Sequence, residues 1–207
     1  AFQFKHAYVL STPTEVIPSP AMERGTLIHE SVEKYVKREQ DMLHPDIHET
    51  YGQFFDGLRT SYRCFPEHPF GLTYDGVACD YDAPNVWFRG YLDLKMLPME
   101  GEDGELNVYE FKTGGIYEDN HSAQRVRYGT AALAQHLEFP HVKVTTIYFD
   151  KKDIRQVTYS RAMFKEHMGA LHRQAEMIEK DVTFMPKPNY TCRFCRFSRY
   201  NNGPCQF

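Results

Sequence analysis

The chain has 207 residues, enough for one domain with a sizeable core. Hydrophobic residues make up 42%, with 14 Tyr and 15 Phe, and no apolar run approaches the roughly 18 residues a membrane span needs, so neither a disordered chain nor an integral membrane protein is expected. A net charge of −4 argues against a uniformly basic nucleic-acid-coating protein but not against an enzyme acting on nucleic acid, because catalytic carboxylates themselves add negative charge. Three of the five cysteines crowd the C-terminal end, unlike an evenly spread disulfide framework, and no signal peptide is visible; a reducing, cytoplasmic setting is expected (the host-cell cytoplasm if the source is viral).

Residues 1–9 (AFQFKHAYV) are aromatic and compatible with strand or helix, and residues 11–20 hold three prolines and read as extended. Residues 21–40 read as a helix with Ile28, Val32, Tyr35 and Val36 as its apolar stripe. Gly25, His29 and Glu33 recur every four residues along the edge of that stripe, and a glycine one turn before a histidine suggests close packing or substrate approach. Residues 46–63 read as a second helix, with Tyr51, Phe54, Phe55, Leu58 and Tyr62 inward. Residues 71–81 read as a strand with Cys79 as a small buried hydrophobe.

The centre of the chain is a predicted hairpin, residues 86–97 and 105–113, joined by an acidic glycine-containing turn. Strict alternation places Val86, Phe88, Leu92, Leu94 and Met96 on one face and Trp87, Arg89, Tyr91, Asp93 and Lys95 on the other. Glu110 and Lys112 share a face. If Asp93 joins them, two carboxylates and an ammonium converge. Hard divalent cations bind through such carboxylates, and a lysine beside one can orient water or stabilise an oxyanion.

Asn120 or Ser122 is expected to cap the next helix, which runs to about residue 137 on Val126, Leu133 and Leu137; Gln124 and Tyr128 lie one turn apart on another side, with Arg125 and Arg127 beside them. Residues 143–149 and 156–159 read as paired strands across a polar turn. Residues 160–180 read as a closing helix with Phe164, Met168, Leu171, Ala175 and Ile178 inward and His167 and His172 on the surface. The tail, residues 186–207, carries Lys187, Arg193, Arg196 and Arg199 and no acid. Its Cys192-x-x-Cys195 with Cys205 suits a metal or a cluster, but three thiols are one short of a closed site. Cys64, Cys79, His172 or a residue ahead of Ala1 is the candidate fourth ligand.

Gly25-x-x-x-His29, Gly90-Tyr-Leu-Asp93, Glu110-Phe-Lys112-Thr-Gly and Gln124-x-x-x-Tyr128, in that order, resemble the motif series of the PD-(D/E)XK nuclease superfamily in its RecB-like branch. The resemblance implies an α/β (α+β) fold with a restriction-endonuclease-like core, a central mixed β-sheet flanked by helices, spanning residues 1–207 as a single domain with the cysteine-containing tail attached. It implies that His29, Asp93, Glu110 and the carbonyl of Phe111 hold Mg²⁺ or Mn²⁺. Lys112 would position or activate the attacking water, and Gln124 and Tyr128, grouped with the catalytic residues, would contact DNA or orient the site. Arg125, Arg127, Arg193 and Arg196 would contact DNA. Cys192, Cys195 and Cys205 would be three of the four ligands of a [4Fe–4S] cluster; no Cys lies before Gly25 for the fourth, so either a cysteine just ahead of Ala1 supplies it or the cluster is absent.

The activity implied is a DNA exonuclease of recombination, repair or phage DNA processing. The alternatives are a structure-specific or CRISPR spacer-processing endonuclease of the same fold, and a non-catalytic DNA-binding subunit. DNA is the expected partner, with no membrane and with an oligomer or larger complex open.

Overall fold

The computed structural model describes residues 7, 9–12 and 18–207. Most of the aromatic run 1–9 and the middle of the proline-rich stretch 11–20 lie outside the described residues, and with them the expectations placed there. The chain divides into two compact units, Pro20–Gly169 and a second made of Ala170–Phe207 with the described residues before Pro20.

The first unit begins with two helices, α1 (Pro20–Val36) and α2 (Pro45–Ser61). The stripe expected on α1 is the buried one, Ile28, Val32, Tyr35 and Val36. Helix α2 buries Ile47, Tyr51, Phe55 and Leu58 at helical spacing. Pro45 opens it, and His44 caps it by accepting from the Asp46 N–H at 3.3 Å. It stops earlier than expected. Tyr62 and Arg63 already belong to β1 (Tyr62–Leu72), a strand hidden in sequence by Pro66 and Pro69. Prolines sit in strands where no neighbour needs their missing N–H. Among the described residues β1 pairs on its outer side only at Gly71 and Leu72, with the short β2 (Ala78–Cys79), so both prolines lie where β1 is the edge. Cys79 is half-buried there rather than buried.

The remaining elements are β3 (Phe88–Pro98), β4 (Leu106–Lys112), α3 (Glu118–Gln135), β5 (His141–Tyr148), β6 (Asp153–Ser160) and α4 (Phe164–Glu179). The six strands form one mixed sheet in the order β2-β1-β3-β4-β5-β6, parallel only between β4 and β5, where α3 makes the crossover a parallel pair demands. This is the expected α+β arrangement of a restriction-endonuclease-like core.

The sheet is covered on both faces. On one, α1 and α2 pack over Leu94, Met96, Phe111 and Ile147. On the other, Ala131, Ala132 and Leu133 of α3 pack over Leu92, Val108, Val142 and Val144. Each fully buried Leu, Ile or Val here contributes about 1.5–3 kcal/mol. Helix α3 differs from expectation at both ends. Its N-cap is Tyr117, with no side-chain cap, and it ends at Gln135, leaving Leu137 75% exposed. His167 on α4 is buried rather than superficial, edge-on to the Tyr159 ring at 5.5 Å, and Ile178 is exposed.

Candidate metal and phosphodiester site

The site begins where β3 and β4 part. The two strands pair only through Leu94–Tyr109, Lys95–Val108 and Met96–Asn107. One step beyond, the Phe111 N–H donates not to a ladder carbonyl but to Asp93 Oδ2, at 2.7 Å. On its other side Asp93 lies opposite Glu67 of β1, between the bridged pairs Pro66–Leu94 and His68–Leu92. Glu67 has φ +45, a left-handed conformation that is uncommon for a residue with a side chain and strained within a strand.

The alternation of both strands slips at this point. Leu92 packs in the α3 core and Leu94 in the α1–α2 core, although they are two residues apart. Phe65 and Phe70, five apart, both pack on the α3 side. The strict alternation expected for β3 therefore holds only on either side of Asp93. The slip turns Glu67 and Asp93 toward His29, and one ligand atom from each of these three lies within 4.8 Å of the others. Glu67 was not anticipated from sequence: it sits in an unrecognised strand, and no motif marks it.

Helix α1 is fastened so that His29 reaches this point. The Arg24 guanidinium pairs with Asp46 at 2.6 Å and Asp150 at 2.8 Å, and Asp150 in turn accepts from the Gly114 N–H at 2.8 Å, just past β4. A Cβ on Gly25 would lie 3.1 Å from Thr113 Oγ1, so the bare glycine lets α1 sit close to the end of β4. His29 Nε2–H then donates to the Phe111 carbonyl at 3.1 Å, and Nδ1 faces Asp93 Oδ2 at 3.7 Å.

Glu110 projects from the opposite face of β4 to Phe111 and is 3% exposed. Its Oε1 accepts from Lys112 Nζ and from Gln124 Nε2 of α3, the latter at 2.9 Å. Gln124 also donates to the Tyr128 hydroxyl at 2.8 Å. Oε2 of Glu110 is buried with no hydrogen-bond partner. Burial, reinforced by the negative charge of Glu67 and opposed by the Phe111 N–H, pushes the Asp93 carboxyl up to about 7. Burial and the neighbouring Asp93 push Glu110 up to about 8, against the pull of Lys112. Burial also raises Glu67. Two desolvated carboxylates in contact and an orphaned buried oxygen form a site short of positive charge. A hard divalent cation with oxygen and imidazole donors fits it.

The structure thus brings His29, Asp93, Glu110, Phe111, Lys112, Gln124 and Tyr128 into one network. Arg125 is not on the surface expected of a DNA contact. It is 3% exposed, ion-paired with Glu118 and 3.4 Å from Thr146 Oγ1, because its side of α3 faces the sheet. Arg127 lines a cleft of about 450 Å³ on the α3 side, with Gln124 and Tyr128. On the α1 side a cleft of about 750 Å³ is lined by His29, Glu30, Glu33 and Glu67.

In the second unit, Arg193 and Arg196 are exposed, each stacked over the aromatic ring that follows it, Phe194 and Phe197, at 4.7 and 4.8 Å. Cys192 and Cys195 share a tight turn in which the Cys195 N–H donates to the Cys192 carbonyl at 3.0 Å, while Cys205 is tied back by donating to the Phe197 carbonyl at 2.8 Å. All three are free thiols. Among the described residues they do not form a three-ligand group of the kind built by His29, Glu67 and Asp93. No described helix is long and apolar enough to cross a membrane.

A family model of the PD-(D/E)XK nuclease superfamily matches residues 46–200, a span that holds Glu67, Asp93, Glu110, Lys112, Gln124 and Tyr128 but begins after His29. Among solved structures, the crystal structure of SSO0001 is similar at 15% identity and a TM-score of 0.47, over 94% of this chain and 76% of that one. No curated protein matches the chain.

Proposed function

The chain belongs to the PD-(D/E)XK nuclease superfamily, and we propose that it is a divalent-metal-dependent deoxyribonuclease with its centre at Asp93, Glu110 and Lys112. The observation that carries this reading is the buried, unpartnered Oε2 of Glu110 beside Asp93, with Lys112 and His29 at hand. Asp93, Glu110, the Phe111 carbonyl and His29 would hold Mg²⁺ or Mn²⁺, with Glu67 as a further carboxylate on the same group. A divalent cation there supplies charge neutralisation at the phosphate and a more acidic water.

The protein's own part is positioning. Lys112 Nζ, tethered by Glu110, points a donor at the attacking water and at the oxyanion as charge develops. Gln124 fixes the rotamer of Glu110 and of the Tyr128 ring through two hydrogen bonds. Water adds to phosphorus, the ester P–O bond opposite breaks, and a phosphomonoester and a free hydroxyl result. Arg127, with Arg193 and Arg196, would meet backbone phosphates. The exonuclease form of the activity, in recombination, repair or phage DNA processing, rests on the likeness of the motif order to the RecB-like branch. A [4Fe–4S] cluster rests on that likeness and on the Cys192–Cys195 turn, and the bond-breaking chemistry above uses none of its cysteines.

The test is digestion of end-labelled linear DNA and closed circular single-stranded DNA with Mg²⁺, Mn²⁺ or EDTA, beside Glu110→Gln. Metal- and Glu110-dependent shortening of linear DNA alone is expected. Cleavage of the circle moves the activity to an endonuclease. Metal-independent binding that survives Glu110→Gln, with no cleavage, replaces the enzyme with a DNA-binding subunit.

A further inference from the structure

We propose that the cleft on the α3 side is a nucleobase subsite, so that the substrate is DNA presenting an unpaired nucleotide beside the scissile phosphate. The inference deepens the nuclease reading and rests on it. The cleft is walled by three rings. Phe70 and Phe88 lie 5.3 Å apart between centroids, and Phe70 and Tyr128 lie 6.3 Å apart and edge-on. Opposite Phe70 the chain has Gly90, where a Cβ would come within 2.9 Å of the ring, so only a glycine leaves that ring in place. The volume, about 450 Å³, suits a single nucleotide rather than a duplex. Phe88 and Tyr128, each part-exposed, offer faces on which any base can stack, because every base has a π face, and Phe70, 2% exposed, backs them from the core.

The rim is cationic. Arg89 and Arg127 line it, and Arg89 is held in position by Asp82 at 2.9 Å and the Tyr81 carbonyl at 3.1 Å, lying 4.7 Å over the Tyr81 ring. Aromatic walls with an arginine rim match a base joined to a phosphate. The α1 cleft has neither rings nor arginines of this kind in its lining, and its Glu30 and Glu33 are paired with Lys34 and Lys37, so the α3 side is the one that matches a nucleotide.

Gln124 connects the cleft to the chemistry. It lines the cleft and donates to Glu110 at 2.9 Å, so a base seated there places its own phosphate about one side chain from the catalytic carboxylate. A base inside a duplex has both faces stacked and its pairing edge occupied, and must leave the stack to enter. Single strands, frayed ends and flaps present such a base without that penalty.

The test uses fluorescence anisotropy of a short single-stranded oligonucleotide, a base-free deoxyribose-phosphate chain of equal length, and a blunt duplex, against full-length protein carrying Glu110→Gln. The single strand should bind about tenfold more tightly than either of the others. Adding Phe88→Ala should erase the advantage and Phe88→Tyr should restore it. Equal binding of the base-bearing and base-free chains overturns the subsite without any variant at Phe88. Cleavage by the wild-type protein is scored in parallel on the same DNAs. Failure to cut any DNA with Mg²⁺ or Mn²⁺ overturns the nuclease reading, while a retained preference for bases in binding still upholds the subsite.

Discussion

Two clefts flank the same pair of carboxylates, one reaching Asp93 through His29 and the other reaching Glu110 through Gln124, and they are made of opposite materials. The one beneath α1 is edged by His29, Glu30, Glu33 and Glu67; the one beside α3 is walled by Phe70, Phe88 and Tyr128 and rimmed by Arg89 and Arg127. The difference assigns their labour. The first concentrates negative charge and oxygen donors and suits a cation. The second offers rings and fixed positive charge and suits a nucleotide. Glu110, buried, and Asp93, nearly so, lie between them.

The largest effect should come from neutralising the shared centre. Glu110→Gln is expected to lower cleavage by on the order of a thousandfold or more, read on end-labelled DNA. The same substitution should raise the melting temperature of metal-free protein at pH 8, since it removes one of two desolvated like charges.

The metal side is then tested by pH. Asp93 and Glu110 hold their protons more tightly folded than unfolded, where about 3.9 and 4.3 are usual. The folded chain therefore binds more protons from about pH 4 up to about 7 to 8, and stability falls as pH rises through that window. Thermal melts in EDTA should show a decline on the order of a few kcal/mol between pH 5 and 8. Mn²⁺ should restore more of the melting temperature at pH 8 than at pH 6.

Two neighbouring arginines sharpen the substrate side. Arg125→Met removes the buried guanidinium's bonds to Glu118, which keeps its pair with Arg155, and to Thr146, and should cost about 1–3 kcal/mol in urea unfolding. Arg127→Gln should reduce the slope of log affinity against log salt by about one. At the acidic side, Glu67→Gln should weaken Mn²⁺ binding about tenfold by calorimetry, with binding of single-stranded DNA in EDTA unaltered.

Much of this was legible in the residues. The α1 stripe, the hairpin and the order of Gly25, His29, Asp93, Glu110, Lys112, Gln124 and Tyr128 are local patterns, and local patterns survive folding. What was not legible depends on partners distant in sequence. Pro66 and Pro69 hide β1, because nothing in the sequence says that their outer side lacks a neighbour. Glu67 belongs to no motif, and the slip that turns it inward is a backbone property of two strands together. Arg125 and Arg127 look alike in sequence; only the docking of α3 on the sheet buries one and not the other.

Gly25 shows what such a site demands of its scaffold. In the middle of α1 a glycine is a poor helix former, weaker than alanine by roughly 0.5–1 kcal/mol, and alanine there would make a firmer helix. It would also press on Thr113 from 3.1 Å and push the helix or that side chain away by a few tenths of an ångström, loosening His29 from the Phe111 carbonyl. Gly25→Ala is therefore expected to gain in the stiffness of α1 while losing grip on the cation, measurable as opposite changes in helix protection from hydrogen exchange and in Mn²⁺ affinity. The chain is less rigid than its own helix would permit, and that slack is what lets an imidazole sit within reach of a strand.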